Sequence, residues 1–586
     1  MILYLRHFTV FLTALLFSFS TSTKAQAGAE DAAKYGPFVA TGRQGMVVTA
    51  GDQASAAGVE MLKRGGNAVD AAVAASFAIS VIRPQSTGIG GGGFFLLYLA
   101  KSKETIAVDF RERAPLAATR DMFVRGGKAI PELSRNGPLA VAVPGLVAGL
   151  VEVQKEYGTM PLKEVMAPAI RLAEDGFPIY PQLAGAIGYR AKLLGDAPAT
   201  RAIYFRDDRP LREGELLVQK DLARTLREIA EHGTDAFYKG RVAKAIVQEM
   251  KERGGLITQE DLDNYRVMYR TPVVSTFHGA HIHAMPPPSS GGVLIAEMLN
   301  MLSGYPLQEF GFHTPKSIHV LTETMRLAFH DRARYLGDPD FTQAPIAMLT
   351  SPEYAERQRA KIDLSKATPS EAVPTAEPGK IESTSTTHIS IIDKDGNAVA
   401  TTQTVNLYFG SGVMPAGTGV MLNDEMDDFS AQESHPNAFG LIGENSANAV
   451  APRKTPLSSM SPTIVTRDGK VILVLGSPGG SRIISATLQV LLNVLAYHMT
   501  LPEAMFAPRI HHQWFPDELL VEAKKDNPPE GLINALRQLG HKVTVVEDTG
   551  DGRTPFGNVQ ALQVDVSSGV ITGVSDPRGE GRPHGL

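Results

Sequence analysis

The feature that most constrains this chain is an abrupt junction at residue 386. From Lys361 to Ser385 the sequence KIDLSKATPSEAVPTAEPGKIESTS is polar, carries prolines and shows no hydrophobic periodicity. Such a segment has no apolar face to bury and is expected to be exposed and mobile. Directly after it come Thr386-Thr387-His388-Ile389-Ser390-Ile391-Ile392, then Asp393-Lys394-Asp395-Gly396-Asn397, then Ala398-Val399-Ala400-Thr401-Thr402. Alternation on both sides of an Asp-Gly turn predicts a β-hairpin. A fold for this chain is expected to seat a buried hairpin immediately behind an exposed segment.

Composition narrows the chemistry. The 586 residues include no cysteine, which excludes a disulfide frame and a thiol nucleophile. A covalent nucleophile would have to be a hydroxyl, an amine or a carboxylate. Formal net charge is −5 with both signs mixed throughout, so there is no basic stripe for nucleic acid, and a small-molecule substrate is expected. Arg6, the apolar run from Val10 to Phe19 and the small residues of Ala25-Gln26-Ala27 have the layout of a secretory signal, so residues 1–27 are expected to be removed after Ala27. That run is too short to span a bilayer comfortably, and no later segment is apolar for long enough. The expected address is the periplasm or the medium, with no stable membrane anchor after signal removal. Length alone would suggest about three or four domains.

Along the chain, Gly51 to Ser80 is alanine-rich and reads as two close-packing helices broken at Gly65-Gly66-Asn67. Gly88 to Gly93 then feed an apolar strand, Phe94 to Leu99. These glycines lack the Gly-Lys-Ser/Thr of a phosphate loop and lead into a strand where such a loop leads into a helix, which argues against nucleotide binding. Gly145 to Leu336 reads as a mainly helical covering layer, interrupted by Met285-Pro286-Pro287-Pro288-Ser289-Ser290-Gly291-Gly292. Val471 to Leu475 predicts a buried strand, Gly476-Ser477-Pro478-Gly479-Gly480-Ser481 a loop, and Arg482 to about Tyr497 an apolar helix. Lys542–Val546 and Val559–Val564 are expected to form a late pair of strands.

Several blocks resemble the gamma-glutamyltransferase family. They include Thr386-Thr387-His388, Asn406-Leu407-Tyr408-Phe409-Gly410-Ser411, Asn423 to Ser430 (NDEMDDFS), Pro456 to Pro462 (PLSSMSP) and Gly476 to Ser481. Upstream, Gly65 to Ala72, Gly88 to Phe94, Asp109-Phe110-Arg111-Glu112 and Ala142-Val143-Pro144-Gly145 match as well, in family order over nearly the whole mature chain. The resemblance implies an α+β fold, the four-layer αββα sandwich of the N-terminal-nucleophile hydrolases. It also implies a precursor cut between Ser385 and Thr386, giving a large subunit (28–385, with 361–385 its mobile polar end) and a small subunit (386–586) that share a single core. The length-based domain count then fails.

On its own, Thr386 would simply start an ordinary strand. Under the resemblance it is the nucleophile, and its freed α-amine the base, because an N-terminal threonine carries both. Such amines titrate near 7.7–8.0, close enough to neutrality to take and return a proton. Gly479 and Gly480 resemble the backbone pair that receives the oxyanion, though a plain strand-to-helix turn explains the same glycines. Thr404 resembles the threonine that hydrogen-bonds the nucleophile. Arg111 is implied to fork onto the substrate α-carboxylate, helped by Ser458 and Ser459, and Glu425, Asp428 and Asn406 to receive the α-ammonium. Taken singly, Arg111 would read as a surface ion pair and residues 424–428 as a solvated turn.

The implied substrates are glutathione and other gamma-glutamyl compounds, with water, amino acids or peptides as acceptors. A glutaryl or cephalosporin acylase and a non-catalytic exported binding protein are the alternatives. No histidine spacing resembles a zinc motif, and His388, His511 and His512 read as structural, so no metal or other cofactor is expected. The stretch after Ser430 resembles a lid in length, with Phe439 where some bacterial relatives carry tyrosine. Asp424 stands in place of a commoner asparagine.

Overall fold

The structure is a computed structural model that describes residues 34–370, 385–444, 446–547 and 555–586. The expected leader and residues 371–384 of the polar segment lie outside the described residues.

Two seven-stranded antiparallel sheets form the centre. The first comprises β2 (Gly45–Thr49), β3 (Gly92–Leu99), β4 (Glu104–Phe110), β5 (Met268–Arg270), β8 (Thr387–Asp393), β9 (Ala398–Thr404) and β14 (Arg582–Gly585), in the order β5-β4-β3-β9-β8-β2-β14. The second comprises β1 (Val39–Gly42), β6 (Val273–Phe277), β7 (Ala280–Ala284), β10 (Thr463–Arg467), β11 (Lys470–Gly476), β12 (Gln560–Asp565) and β13 (Val570–Ser575), in the order β1-β13-β12-β11-β10-β7-β6.

Side-chain alternation sorts the strands into layers. In the first sheet Val47, Phe95, Leu97, Ile389 and Ile391 face a helical layer that includes α1 (Asp52–Lys63), α2 (Ala68–Ile82) and α3 (Leu146–Tyr157). Their neighbours Met46, Val48, Phe94, Leu96 and Ile392 face the other way and meet Ile464, Val474 and Leu562 of the second sheet. Leu473 and Leu475 turn outward onto α4 (Gly291–Leu302), α5 (Pro315–Tyr335) and α6 (Arg482–Leu495). The result is the expected αββα sandwich. A one-residue slip in any of these strands would exchange its two faces, so both apolar layers fix the register.

Every residue of α2 is buried, which suits a helix built mostly of alanine and valine between a sheet and other helices. Asn67 caps it, accepting from the amides of Val69 and Asp70, while the Asp70 carboxylate accepts from the Asn67 amide. The Ala68 amide donates to Oδ2 of Asp393 at the end of β8. The expected hairpin is present: β8 pairs with β9 from Thr387↔Gln403 to Ile392↔Ala398, and the Asp393 side chain accepts from the amides of Asp395 and Asn397 across the turn.

Two expectations are corrected. The block from Gly145 to Leu336 is not a covering layer throughout, because β5, β6 and β7 lie within it and join the central sheets. The two late segments do not pair with each other. Val543–Val546 runs parallel to Leu519–Glu522 in a separate three-stranded sheet, whereas β12 lies between β11 and β13. Among the described residues no helix is long and apolar enough to cross a membrane.

Candidate active site

Even-numbered positions of β8 and β9 point between the sheets, and Thr386 and Thr404 share that side at the strand ends. Their hydroxyls are 3.0 Å apart. Thr404 Oγ1 also accepts the Asn406 amide at 2.8 Å, which fixes its rotamer. Thr386 is buried and has φ +107, a left-handed backbone that a β-branched residue adopts only under strain of about 1–3 kcal/mol. Anchors hold it there: its amide donates to the Ser86 carbonyl at 3.1 Å, and the Ser385 hydroxyl donates to the Asn406 carbonyl. Deeper in the hairpin, His388 lies between Thr402 (2.7 Å) and Ser390 (3.1 Å), and burial pushes it down to about 3.

The pocket above Thr386 is lined by Arg111, Thr404, Asn406, Glu425, Asp428, Phe439, Ser458, Ser459 and Gly480 among others. Residues scattered from 111 to 480 thus line one pocket. Ser385 and Gly479 adjoin this lining in sequence without forming part of it.

Arg111 is not a surface residue but is 1% exposed. Its Nε donates to the Pro456 carbonyl at 2.9 Å, and its two terminal nitrogens bind Glu425 and Asp428. Burial works against its charge, but the carboxylates of Glu425 and Asp428 outweigh it and raise its pKa. Burial pushes Glu425 up to about 7 against the pull of Arg111, and raises Asp428 likewise. Glu112, also buried, is pushed well above the usual carboxylate range by burial and then by the charge of Glu425. The acids expected to meet a substrate ammonium therefore already neutralise the arginine expected to meet its carboxylate.

The Ser458–Ser459 segment is held by the proline-rich block, through an isolated bridge between Ser289 and Ser458. Ser458 donates its amide to the Pro288 carbonyl, and its own carbonyl accepts from the Ser290 amide and hydroxyl, each at 2.8 Å. Behind it, Arg332 of α5 donates to Ser290 Oγ at 3.0 Å and to Ser459 Oγ at 3.4 Å. Burial lowers Arg332 to about 10, still charged at neutral pH. Sequence reasoning missed Arg332 and Glu112: the first sits in an ordinary amphipathic helix, and the second was read as the neighbour of Arg111.

Asp424, in place of asparagine, accepts the Leu407 amide through Oδ1 at 2.9 Å, and burial raises its pKa strongly. Its Oδ1 thus makes the acceptor contact that an asparagine carbonyl would make.

Gly479 and Gly480 have φ +138 and +56, and among the described residues neither amide donates to a protein acceptor. Two unspent N–H groups beside a helix start, that of Gly480 at the wall of the pocket and that of Gly479 adjoining it, suit a developing oxyanion. A Cβ at Gly480 would lie 2.3 Å from Cδ1 of Phe439, so the ring sits directly on this loop. Phe439 is held through its main chain, its carbonyl accepting from Gln513 Nε2 and its amide donating to Asn437 Oδ1, each at 3.0 Å. The Asn437 amide group faces Asp428 Oδ1 at 3.5 Å. The expected lid segment therefore packs against the pocket without a tyrosine hydroxyl.

The family model for gamma-glutamyltranspeptidase matches residues 54–586. The glutathione hydrolase proenzyme of Escherichia coli (strain K12) is 46% identical over 541 residues, covering 92% of this chain and 90% of that protein. The glutathione hydrolase proenzyme of Pseudomonas sp. (strain A14) is 45% identical over 577 residues, covering 97% and 96%. The crystal structure of cephalosporin acylase from Bacillus halodurans matches with a TM-score of 0.82 at 30% identity, over 94% of this chain and 97% of that one. With the pocket, the sandwich and these matches in agreement along its length, the chain belongs to the gamma-glutamyltranspeptidase family.

Proposed function

We propose that this chain is the exported precursor of a gamma-glutamyltransferase that hydrolyses glutathione and related gamma-glutamyl amides, and that Thr386 becomes its catalytic N-terminus. The observation that carries this reading is the strained Thr386, hydrogen-bonded to Thr404, at the base of a pocket whose wall pairs Arg111 with Glu425 and Asp428.

In the precursor the Thr386 hydroxyl adds to the Ser385 carbonyl carbon. The C–N bond breaks as an ester C–O bond forms, and the proton passes from oxygen to the released amine. Water then hydrolyses the ester, leaving the large subunit 28–385 and the small subunit 386–586. Relief of the strain at Thr386 favours this step. Before the cut its nitrogen is an amide and cannot act as a base, so maturation and activity are coupled.

In the mature site the α-amine takes the hydroxyl proton as Oγ attacks the gamma-carbonyl. The Gly479 and Gly480 amides donate to the oxyanion, and the amine returns the proton to the leaving cysteinylglycine nitrogen. Water, or the amine of an amino acid or peptide, then attacks the acyl-Thr386 ester. Arg111, Ser458 and Ser459 hold the α-carboxylate, and Glu425, Asp428 and Asn406 the α-ammonium.

Charge accounting favours this substrate over a glutaryl group, although a cephalosporin acylase is among the structural matches. A zwitterionic head adds one charge of each sign beside a balanced buried cluster. A glutaryl head adds only an anion, drawing Arg111 from Glu425 and Asp428 and leaving a buried acid unpaired, which costs several kcal/mol. Turnover of gamma-glutamyl and glutaryl anilides separates the two, and preference for glutaryl would overturn the substrate assignment. Intact mass and N-terminal sequencing test the maturation. Two fragments are expected, the smaller beginning Thr-Thr-His-Ile-Ser, with one uncut chain for Thr386→Ala. Active wild-type protein that remains uncut would refute the mechanism. The leader-like N-terminus supports a periplasmic or secreted location.

A further inference from the structure

Away from the pocket, α5 meets the C-terminal half in a buried polar knot that the reaction does not use. His319 and Glu323 lie one turn apart on α5, and His541 follows α7 (Glu530–Gln538); all three are buried. Nδ1 of His319 is 2.8 Å from Nε2 of His541, and one potential ligand atom from each of the three side chains lies within 4.8 Å of the others. We propose that His319, Glu323 and His541 form a binding site for a divalent transition-metal ion of the zinc or cobalt type, bridging the chain segments before and after residue 385.

The surrounding bonds orient these groups as metal ligands are oriented. Nε2 of His319 donates to the Asp363 carbonyl at 2.8 Å, so this ring is the Nε2-protonated tautomer and keeps its Nδ1 lone pair facing inward. Metal-bound histidines are commonly fixed in this way by a carbonyl on the far nitrogen. Glu323 is steadied by Arg326 Nε at 3.3 Å and by the Thr368 amide at 3.2 Å, both on Oε1. Oε2 has only a longer contact to the Thr368 amide, at 3.3 Å.

Nearby, Arg326 Nη1 binds Asp517 at 2.5 Å, Lys542 reaches the same carboxylate at 3.2 Å, and His512 Nε2 lies 3.4 Å from it. Without metal, one proton on His541 Nε2 joins the two rings. A metal replaces that proton, which moves to the unpartnered Nδ1 of His541, and the rings separate to about 3.3 Å to give metal–nitrogen bonds of about 2.0–2.1 Å. Two histidines and a carboxylate leave a fourth position for water. Its ligands on α5 lie about 13–20 Å along the helix from Arg332, too far to act on the reacting carbonyl. Its role is therefore structural, and it joins the two polypeptides expected after processing.

The test uses untagged, metal-free, full-length protein titrated with Co²⁺. One equivalent is expected to give the visible ligand-field bands of four-coordinate cobalt, without the sulfur charge-transfer band that a cysteine-free chain cannot supply, and Zn²⁺ is expected to abolish them. His541→Ala and the near-isosteric Glu323→Gln are expected to weaken binding roughly 100-fold or more, while His278→Ala, at an exposed hairpin turn, leaves it unchanged. Equal cobalt binding by wild type and Glu323→Gln, or wild-type spectra showing only six-coordinate cobalt, overturns the proposal. Glu323→Gln keeps the acceptor for Arg326 and Thr368, so it separates lost coordination from failure to fold.

Discussion

Gly480→Ala tests how Phe439 and the proposed oxyanion loop are coupled. At φ +56 an alanine is strained by about 1–2 kcal/mol. Its Cβ would lie 2.3 Å from Cδ1 and 2.7 Å from Cε1 of Phe439, where carbon atoms rest at about 3.5–4.0 Å, so one partner must retreat by more than about 1 Å. The ring resists, because Gln513 and Asn437 pin the main chain of Phe439 on both sides. Forced repacking of this kind costs about 1–3 kcal/mol.

If the loop gives way instead, an amide leaves its position, and loss of one oxyanion donor lowers kcat by about 10²–10³-fold. The assay is kcat on a gamma-glutamyl anilide with fully processed protein, measured for Gly480→Ala, Phe439→Ala and the double variant. Removing the ring should abolish the clash and leave only the backbone strain. The double variant should therefore exceed Gly480→Ala by about tenfold or more after correction for Phe439→Ala alone. Effects that add within about 0.5 kcal/mol would refute the claim that the ring is what the new methyl meets.

Thr404→Val removes the hydroxyl between Thr386 and the Asn406 amide. A loss of about 1–3 kcal/mol predicts kcat lowered by roughly 5- to 150-fold with little change in KM, and Thr404→Ser should restore most of it. Glu425 holds its proton up to about pH 7 in the substrate-free site, whereas a substrate ammonium favours the ionised form. Donor KM should therefore fall as pH rises from about 6 to about 8, by about tenfold, and Glu425→Gln should flatten that profile. Buried His388 is depressed to about 3 in the folded protein, so the unfolded chain binds more protons below about pH 6.5. Stability should fall with decreasing pH between these limits at about 1.4 kcal/mol per unit, and His388→Gln should remove that part of the slope in denaturant midpoints measured against pH.

What the sequence made legible followed from local rules. β11 was readable because Val471 to Leu475 is a continuous apolar run, and the β8–β9 hairpin because alternation flanks an Asp-Gly turn. The β6–β7 hairpin was hidden by His278, His281 and His283, which spoil its apolar pattern, although His278 and Gly279 (φ +48 and +73) form a two-residue turn of the primed kind. β14, Arg-Pro-His-Gly, has no strand-like composition and exists only because β2 offers it an edge. In the site, Thr386, Arg111, Glu425 and Ser458 were singled out by the family resemblance and not by any local pattern. The pairing of Arg111 with its two acids, and Arg332 behind the serines, required chain segments more than a hundred residues apart to meet. No window of sequence contains that information.

In the first sheet, β9 and β8 lie between β3 and β2, and in the second, β10 to β13 lie between β7 and β1, so strands from either side of residue 385 are interleaved in both. Severing the backbone there leaves both sheets whole but alters how the molecule is regained once lost. A denatured, processed sample must bring two separate polypeptides together before either sheet can close. Its recovery becomes second order and fails on dilution, whereas an unsevered Thr386→Ala chain reassembles at a rate independent of concentration. Maturation would thus make any later refolding depend on the concentration of the two polypeptides.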